Sequence, residues 1–357
     1  MIVELPWVQR HPEGISLDAA TVLYEDPLAL HNLLVSPTGA TCCLRRIPGK
    51  AEVVVWDGLP ASRPMSWTGQ PSLPLLEIFG FDGKEVYGRS ETALLRIGPG
   101  DVRTLYETKA VVRAAALSPD RSRLVWIEGA CNGEDYTSRL FTMPIGSPKA
   151  VRQARTSDNC ASVLWLPEGT IVACQVHTVR GAEKGASIWV YSPEAEPIGK
   201  VLETRKWAIQ PVRVGRPSTF FMSGERVDFY RPGIIREALQ WIRRPNLIRR
   251  AKPPGPFPPR QSAMWTVNLG APRGAECVAN ANPAGGTVEV FGDICLFADA
   301  WHQTADRSLL LSASPRRTVA ALVPAFLRNF CLAGNTLLYC TLGQRPAVCA
   351  LDLRPLL

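Results

Sequence analysis

Apolar runs alternate with compact turn sequences along the whole chain, and this alternation repeats seven times. Each repeat opens with an apolar stretch broken by a tight turn, as in LSPDRSRLVWI at 117–127. It continues with a strand of alternating polar and apolar residues that ends in a polar or Gly turn, as in RLFTMPIG at 139–146. The turns of the first kind are centred on Pro37, Asp82, Pro119, Pro167, Pro217, Gly292 and Gly334.

The spacing of these turns predicts the architecture. Consecutive centres lie 37 to 50 residues apart, except for one gap of 75 between Pro217 and Gly292. A period in the forties with two hairpins per repeat is typical of a four-stranded propeller blade. We therefore predict an all-β, seven-bladed β-propeller that uses residues 1–357 as a single domain, because each blade can bury its faces against two neighbours.

The first strand of the chain is expected to complete the last blade. The segment ATVLYED at 20–26 resembles the outer strand VRTLYET at 102–108, yet it precedes the first inner strand. We expect it to pair with the third strand of the seventh blade at 347–353. Such a closure removes exposed strand edges, which otherwise invite aggregation.

The long gap contains an insertion in the fifth blade, at 225–261 between its second and third strands. From Arg226 to Arg260 it holds nine basic residues against two acidic ones, a net charge of +7 within a chain whose net charge is +8. Apolar residues at i, i+4 and i+8 from Ile234 predict a short amphipathic helix, and a Pro-rich tract follows at 253–259. Three interpretations stay open: a solvated loop, a docking arm or lid, and a contact with nucleic acid or anionic membrane.

The remaining composition is that of a soluble globular protein. Most of the ten cysteines lie in or beside apolar strand-like runs and no C-x-x-C pair occurs, so we expect reduced core thiols rather than disulfides or a zinc site. No apolar run is long enough for a membrane span, and the N-terminus lacks a secretory pattern. These features favour a cytoplasmic protein, and the Arg-, Ala- and Pro-rich usage suggests a bacterial one.

The repeat sequences SPTGATCCL (36–44) and LSPDRSRLVWIEG (117–129), each followed by a strand such as VVVWDG (53–58), resemble those of TolB-like propellers and of the propeller domain in prolyl oligopeptidase relatives. These motifs specify turns and carry no chemistry. The resemblance implies a propeller that acts as a binding module. The sequence lacks an α/β-hydrolase domain and any G-x-S-x-G motif, so peptidase activity does not carry over.

Propeller geometry groups the candidate site residues. Turns between second and third strands share one face with the inter-blade connections, and the insertion would overhang the channel mouth on that face. Loop tryptophans and insertion residues join them, because strand tryptophans such as Trp126 are expected in the core. The residues expected at this mouth are Arg45, Arg46, Glu134, Asp135, Tyr136, His177, Arg180, Trp207, Trp241, Arg243, Arg244, Trp301, His302 and Arg345.

His177 and His302 are the only catalytic candidates, and Asp299, Asp306 and Glu134 could supply neighbouring carboxylates. No H-x-H, H-x-x-x-H or H-E-x-x-H spacing occurs, so neither a metal nor another cofactor is predicted. The leading hypothesis is a non-catalytic propeller that binds a peptide or protein partner at the mouth and the insertion. The alternatives are a lyase, hydrolase or cyclase that acts in the same pocket, and, third, a nucleic-acid-binding protein.

Overall fold

The computed structural model describes residue 5 and residues 12–356, apart from 68–74, 133–134, 148, 155–158, 180–181, 227–260, 272–273, 284–286, 305–306, 328 and 342–344. Seven separate sheets, antiparallel apart from one parallel strand pair, account for almost all of its regular structure. The seven-bladed, all-β architecture that the repeats predict is confirmed. Within the described residues no helix is long and apolar enough to cross a membrane.

Two short strands precede the first blade, and each of the next four blades runs in simple order from an inner to an outer strand. The early strands are β1 (Glu13–Ile15) and β2 (Thr21–Glu25). Blade one contains β3 (Leu30–Val35), β4 (Thr41–Ile47), β5 (Lys50–Trp56) and β6 (Met65–Ser66); blade two contains β7 (Glu77–Phe81), β8 (Val86–Arg89), β9 (Ala93–Gly98) and β10 (Asp101–Glu107). Blade three contains β11 (Val111–Leu117), β12 (Arg123–Asn132), β13 (Asp135–Pro144) and β14 (Arg152–Gln153); blade four contains β15 (Asn159–Trp165), β16 (Ile171–Val179), β17 (Ala182–Tyr191) and β18 (Pro197–Thr204).

The last three blades depart from this plan through the insertion and the two early strands. Blade five contains β19 (Trp207–Val214), β20 (Thr219–Arg226), β21 (Ser262–Asn268) and β22 (Ala275–Ala279). Blade six contains β23 (Glu289–Phe291), β24 (Ile294–Ala298), a 3-10 turn at Ala300–His302, β25 (Ser308–Ala313) and β26 (Thr318–Val323). Blade seven contains β27 (Phe330–Ala333), β28 (Thr336–Cys340) and β29 (Ala347–Asp352) from the end of the chain.

The first hairpin of each blade is closed by the turn residues that the repeats supply. Gly39, Gly169 and Gly334 have positive φ angles of 87°, 88° and 61°, a region that is open to Gly because it lacks a Cβ atom. In the turn of blade three, Ser118 Oγ donates to Asp120, whose carboxylate also accepts from the backbone amide of Ser122. These side chains replace the backbone bonds that the bend removes.

Apolar side chains fill the seven interfaces between adjacent blades. Within the described residues, each hydrophobic cluster joins one blade to the next around the ring. The cluster of blades two and three contains Trp126, whose ring stacks on Phe141 with centroids 5.5 Å apart. Trp56, Trp165 and Trp265 are likewise buried, as expected for strand tryptophans.

The thiols also belong to this core. The nine described cysteines are free and buried, as the sequence indicates. Burial raises the pKa of Cys160 and of Cys295 to about 12, because a thiolate loses its solvation inside the protein. These side chains therefore act as small hydrophobic groups.

Both early strands pair with strands from the last two blades. Strand β2 pairs antiparallel with β29, with Val22 opposite Cys349. An apolar cluster between blades seven and one lies behind this pair and includes Leu30 and Leu338. Strand β1 adds a fifth strand to blade six and pairs parallel with β26, an arrangement that the repeats do not predict.

The alternating strand directions divide the turns between two faces of the disc. Turns between second and third strands lie on the same face as the inter-blade connections, and we call this the mouth face. Turns between first and second strands and between third and fourth strands lie on the other side, which we call the back face.

Candidate functional site

In every blade a polar residue follows the buried part of the second strand, either within that strand or directly after it. In each of these strands three to five consecutive buried residues come first, as in Leu124–Ile127 before Glu128 of β12. The chain turns back at the mouth face within a few residues, so the polar residue lies in the mouth-face half of its blade. The seven residues at this position are Arg45, Arg89, Glu128, Gln175, Glu225, Asp299 and Thr341.

In blade one the positive charge of Arg45 is neutralised by two carboxylates of the protein itself. The Arg45 guanidinium lies 2.9 Å from the carboxylate of Asp26 and 3.0 Å from that of Glu52. Burial lowers the pKa of Arg45, but the two carboxylates outweigh that effect and raise it. Asp26 is 4% exposed and belongs to the connection from blade seven, so this ion pair joins the two blades.

In blades two and three the polar residues at this position are also bonded to other groups of the protein. Arg89 Nε lies 2.7 Å from the carboxylate of Glu77, and another guanidinium nitrogen donates to the carbonyl of Val112 in the next blade. Glu128 accepts bonds from the Trp126 indole and from the Thr108 hydroxyl, each at 2.9 Å. These contacts fix the mouth-face ends of neighbouring blades to one another, which is a structural role.

Blades five and six differ, because their polar residues form a chain that ends on an exposed imidazole. The Asn282 amide donates to Glu225 Oε1 at 2.8 Å, and its backbone N–H donates to Asp299 Oδ1 at 3.4 Å. The other Asp299 oxygen is hydrogen-bonded to His302 Nδ1. The Asp299 side chain is 4% exposed, whereas that of His302 is 68% exposed. We call Glu225, Asn282, Asp299 and His302 the blade five–six polar chain.

The local fold explains the contact between His302 and Asp299. Strand β24 ends at Ala298, and the 3-10 turn at Ala300–His302 follows at once. The turn brings the side chain three residues later back over Asp299, while the His302 amide donates to the Asp299 carbonyl at 3.3 Å. A buried carboxylate that orients an exposed imidazole is an arrangement used in general acid–base catalysis, and it equally suits hydrogen bonding to a ligand.

The insertion leaves the fold beside this chain. The Arg226 amide donates to the Gln261 carbonyl at 2.8 Å, and its guanidinium donates to the Gln261 side chain at 2.7 Å. Arg226 directly follows Glu225 on β20, so the insertion begins one residue from the blade five–six polar chain. The predicted helix and Pro-rich tract lie outside the described residues.

The other residues expected at the mouth fall into three groups. Arg46 and Arg345 are exposed on the mouth face, and His177 is half-buried at a bulge of β16 where it lowers the pKa of Glu203, secondary to the hydrogen bond from Lys200. For Asp135, Tyr136 and Trp301 the structure describes the backbone, in β13 and in the 3-10 turn. Those outside the described residues are Glu134, Arg180, Trp241, Arg243, Arg244 and the neighbouring Asp306.

Trp207 does not lie at the mouth surface, in contrast to the expectation from its neighbours Arg205 and Lys206. It is the first residue of β19 and is 3% exposed. Its ring lies edge-on to Trp265 with centroids 4.9 Å apart, inside the cluster between blades four and five. The strand begins earlier than the polar sequence suggests, so Trp207 is a core residue.

Within the residues that the structure describes, no group of three or more His, Cys, Asp or Glu side chains is arranged to hold a metal ion. Of the three carboxylates expected near the catalytic candidates, Asp299 is the one that is hydrogen-bonded to His302. Asn282 and Glu225 are not among the residues predicted from the sequence, because they lie 57 residues apart and meet only where two blades are adjacent.

No protein-family model and no curated sequence matches the chain. Solved structures do match. A puromycin-hydrolysing peptidase of Mycobacterium tuberculosis is similar over 96% of this chain, with a TM-score of 0.62 and 13% identity. This chain spans 55% of that peptidase.

Two further structures align over nearly the full length of this chain and of their own chains. The oligogalacturonate lyase of Vibrio parahaemolyticus aligns over 95% of this chain and 97% of its own, with a TM-score of 0.62 and 11% identity. The β-propeller domain of the Trilobed protease from Pyrococcus furiosus aligns over 92% and 96%, with a TM-score of 0.58 and 9% identity. The structural neighbours are seven-bladed β-propellers. At these identities the likeness establishes the fold alone.

Proposed function

We propose that this protein is a non-catalytic binding module whose mouth face, at blades five and six, recognises a peptide or protein segment rich in acidic residues. The observation that carries the proposal is the position of the insertion. Its two ends are hydrogen-bonded to each other at Arg226 and Gln261, directly beside the blade five–six polar chain and its exposed imidazole. A ligand held at Arg226 and Gln261 would therefore lie beside Glu225, the first residue of the blade five–six polar chain.

Charge supports an acidic partner. The insertion carries a net +7, and the exposed Arg46 and Arg345 add positive charge to the same face. Arg45 and Arg89 do not contribute, because carboxylates of the protein already neutralise them. A concentrated positive surface attracts acidic partners and accelerates their association, and salt weakens both effects.

The experiment measures binding of fluorescein-labelled peptides by fluorescence anisotropy. The probes are a Glu/Asp-rich peptide, a Lys/Arg-rich peptide and a neutral peptide of the same length. The main variant replaces residues 227–260 by a short Gly-rich turn, which the adjacent ends at Arg226 and Gln261 allow without opening β20 and β21. A second variant keeps the length of the insertion but replaces its Arg and Lys residues by Gln.

We expect the acidic peptide to bind the wild-type protein at least about tenfold more tightly than either variant. Equal affinity of the wild type and the shortened variant would contradict the proposal, as would preference for the basic or neutral peptide. A duplex oligonucleotide is included as a competitor. If it binds more tightly than the acidic peptide and its affinity falls steeply with salt, the protein binds nucleic acid instead.

The contact between His302 and Asp299 favours a second candidate, an enzyme that acts on a small molecule at the same mouth. The imidazole would accept or donate a proton at a bound substrate, while Asp299 holds the ring in one orientation. Oligogalacturonate is a reasonable first substrate to test, because the lyase matches this chain over nearly the full length of both. Formation of the unsaturated product would be followed by its ultraviolet absorbance.

Enzymatic action through this dyad requires that His302→Gln abolishes turnover and that Asp299→Asn reduces it strongly with a changed pH profile. His31→Gln serves as the matched control, since that histidine lies in β3 of blade one. Turnover that persists in His302→Gln would exclude the dyad as its source.

A further inference from the structure

A cleft between blades five and six opens on the back face, on the opposite side of the disc from the blade five–six polar chain. Its volume is about 620 Å³, within the range of clefts that hold small organic ligands. One wall comes from blade five and the other from blade six. The turn between β19 and β20, the turn between β23 and β24, and the turn between β25 and β26 form its rim.

One ion pair spans the rim and holds the two walls together. Arg216 Nε in the blade five turn lies 2.7 Å from Asp293 Oδ1 in the blade six turn. Asp293 and Arg216 therefore neutralise each other. Deeper between the same blades, Arg213 lies 2.9 Å from the nearly buried Glu289. Both contacts fix the separation of the walls, so the cleft is a built feature of the interface.

Two further charges face the cleft and differ from these pairs. Glu276 lies on β22 of blade five, and Arg316 lies in the turn between β25 and β26 of blade six. Both side chains are exposed, and neither has an ion pair or side-chain hydrogen bond among the residues that the structure describes. The cleft thus presents one available negative charge on one wall and one available positive charge on the other.

Apolar groups lie between the two charges. Phe221 is 2% exposed and belongs to the core cluster of blades five and six, so it forms the floor of the cleft. Ile294 and Pro315, both half-buried, contribute apolar surface from the blade six wall. A ligand that fits this arrangement carries an anionic end, a cationic end and an apolar middle.

We propose that this back-face cleft binds a short peptide with free termini. The C-terminal carboxylate pairs with Arg316, the N-terminal ammonium pairs with Glu276, and an apolar side chain lies against Phe221 and Ile294. A guanidinium binds a carboxylate through two parallel hydrogen bonds, which fixes the direction of the peptide. This site is separate from the mouth face, and it does not depend on the insertion.

The experiment uses the tripeptide Ala-Leu-Ala in four forms: free, N-acetylated, C-amidated, and capped at both ends. Binding to the full-length protein is measured by isothermal titration calorimetry. The variants are Arg316→Gln and Glu276→Gln. Arg317→Gln is the matched control, because that arginine is adjacent and exposed but pairs with Glu13 of β1.

We expect the free tripeptide to bind the wild type about tenfold more tightly than it binds either cleft variant. This is the loss expected when one hydrogen bond between charged groups is removed. The C-amidated form should bind the wild type and Arg316→Gln equally, and the N-acetylated form should bind the wild type and Glu276→Gln equally. The Arg317→Gln variant should bind the free form as the wild type does.

Three results would overturn the proposal: no binding of the free form, undiminished binding of the doubly capped form, or equal losses in Arg317→Gln and Arg316→Gln. The variant in which a Gly-rich turn replaces 227–260 separates the two sites. If that variant loses the tripeptide, the peptide binds at the mouth face and the cleft assignment fails. If it retains the tripeptide but loses the acidic peptide, both proposals stand.

Discussion

Replacing Asp26 by Asn should destabilise the protein more than most single substitutions of a charged residue. The Asp26 carboxylate follows β2 directly and connects the outer strand of blade seven with blade one. One oxygen accepts a hydrogen bond from the Leu28 amide at 2.9 Å. The other accepts hydrogen bonds from the Tyr24 hydroxyl and from Arg45 Nε, both at 3.0 Å. The substitution keeps the size of the side chain and the bond to Leu28, and it removes the negative charge that faces Arg45.

The magnitude follows from burial and from what remains for Arg45. Breaking a fully buried ion pair costs about 3–5 kcal/mol, and a hydrogen bond to a charged group contributes about 1.5–3 kcal/mol. The Arg45 side chain is 19% exposed and keeps its contact with Glu52. The lower end of these ranges therefore applies, and we expect Asp26→Asn to reduce the free energy of unfolding by about 2 kcal/mol.

Urea denaturation followed by tryptophan fluorescence measures this loss. Asp101→Asn is the matched control, because Asp101 pairs with Arg103 on the surface and its loss should cost under about 0.5 kcal/mol. In the background of Arg45→Met, at least half of the cost of Asp26→Asn should disappear. The reasoning is refuted if Asp26→Asn costs no more than the control, or if its cost is unchanged by Arg45→Met.

Three other predictions concern pH, backbone geometry and thiols. Burial lowers the pKa of His31 from 6.5 to about 4, so the unfolded state binds this proton more readily than the folded state. The free energy of unfolding should therefore be highest above pH 6.5 and should fall by about 2 kcal/mol as the pH drops towards 4. In urea titrations the His31→Gln variant should lack this pH-dependent fall. Gly185→Ala should lower the melting temperature strongly, because φ is +127° and a Cβ would lie 2.0 Å from the Thr204 carbonyl oxygen; Gly199→Ala, with open space around it, should have little effect. A thiol reagent should leave the nine buried thiols unmodified in the folded protein and should modify all ten thiols in urea. Reaction of any of the nine as fast in the folded protein as in urea would contradict their burial.

The blade count could be predicted because it depends on local chemistry repeated seven times. Turns such as 36–39 and 118–121 use Pro, Gly or Asp in one blade after another, and the apolar strands between them recur at a similar spacing except across the insertion. The parallel pairing of β1 with β26 could not be predicted in this way. Three residues carry no recognisable period, and their partner lies about three hundred positions away.

The site was predictable only in part, for a related reason. His302 and Asp299 were both candidates, because residues three apart can meet within one turn. The link from Asn282 to Glu225 depends on how two blades pack, and no sequence spacing records it. Trp207 was misplaced because its polar neighbours suggest a loop, whereas the cluster of blades four and five buries the side chain from the first residue of β19.

Blade seven needs strands from both ends of the described chain, and this has a consequence for synthesis on the ribosome. Strand β2 emerges early, but its partner β29 follows only after more than three hundred further residues, which at about 5–20 residues per second takes roughly tens of seconds. Throughout that interval the face of blade one that later contacts blade seven, including Leu30 and Trp56, stays in water. The nascent chain should therefore be a substrate for chaperones that bind exposed apolar surface until its final strand has been translated.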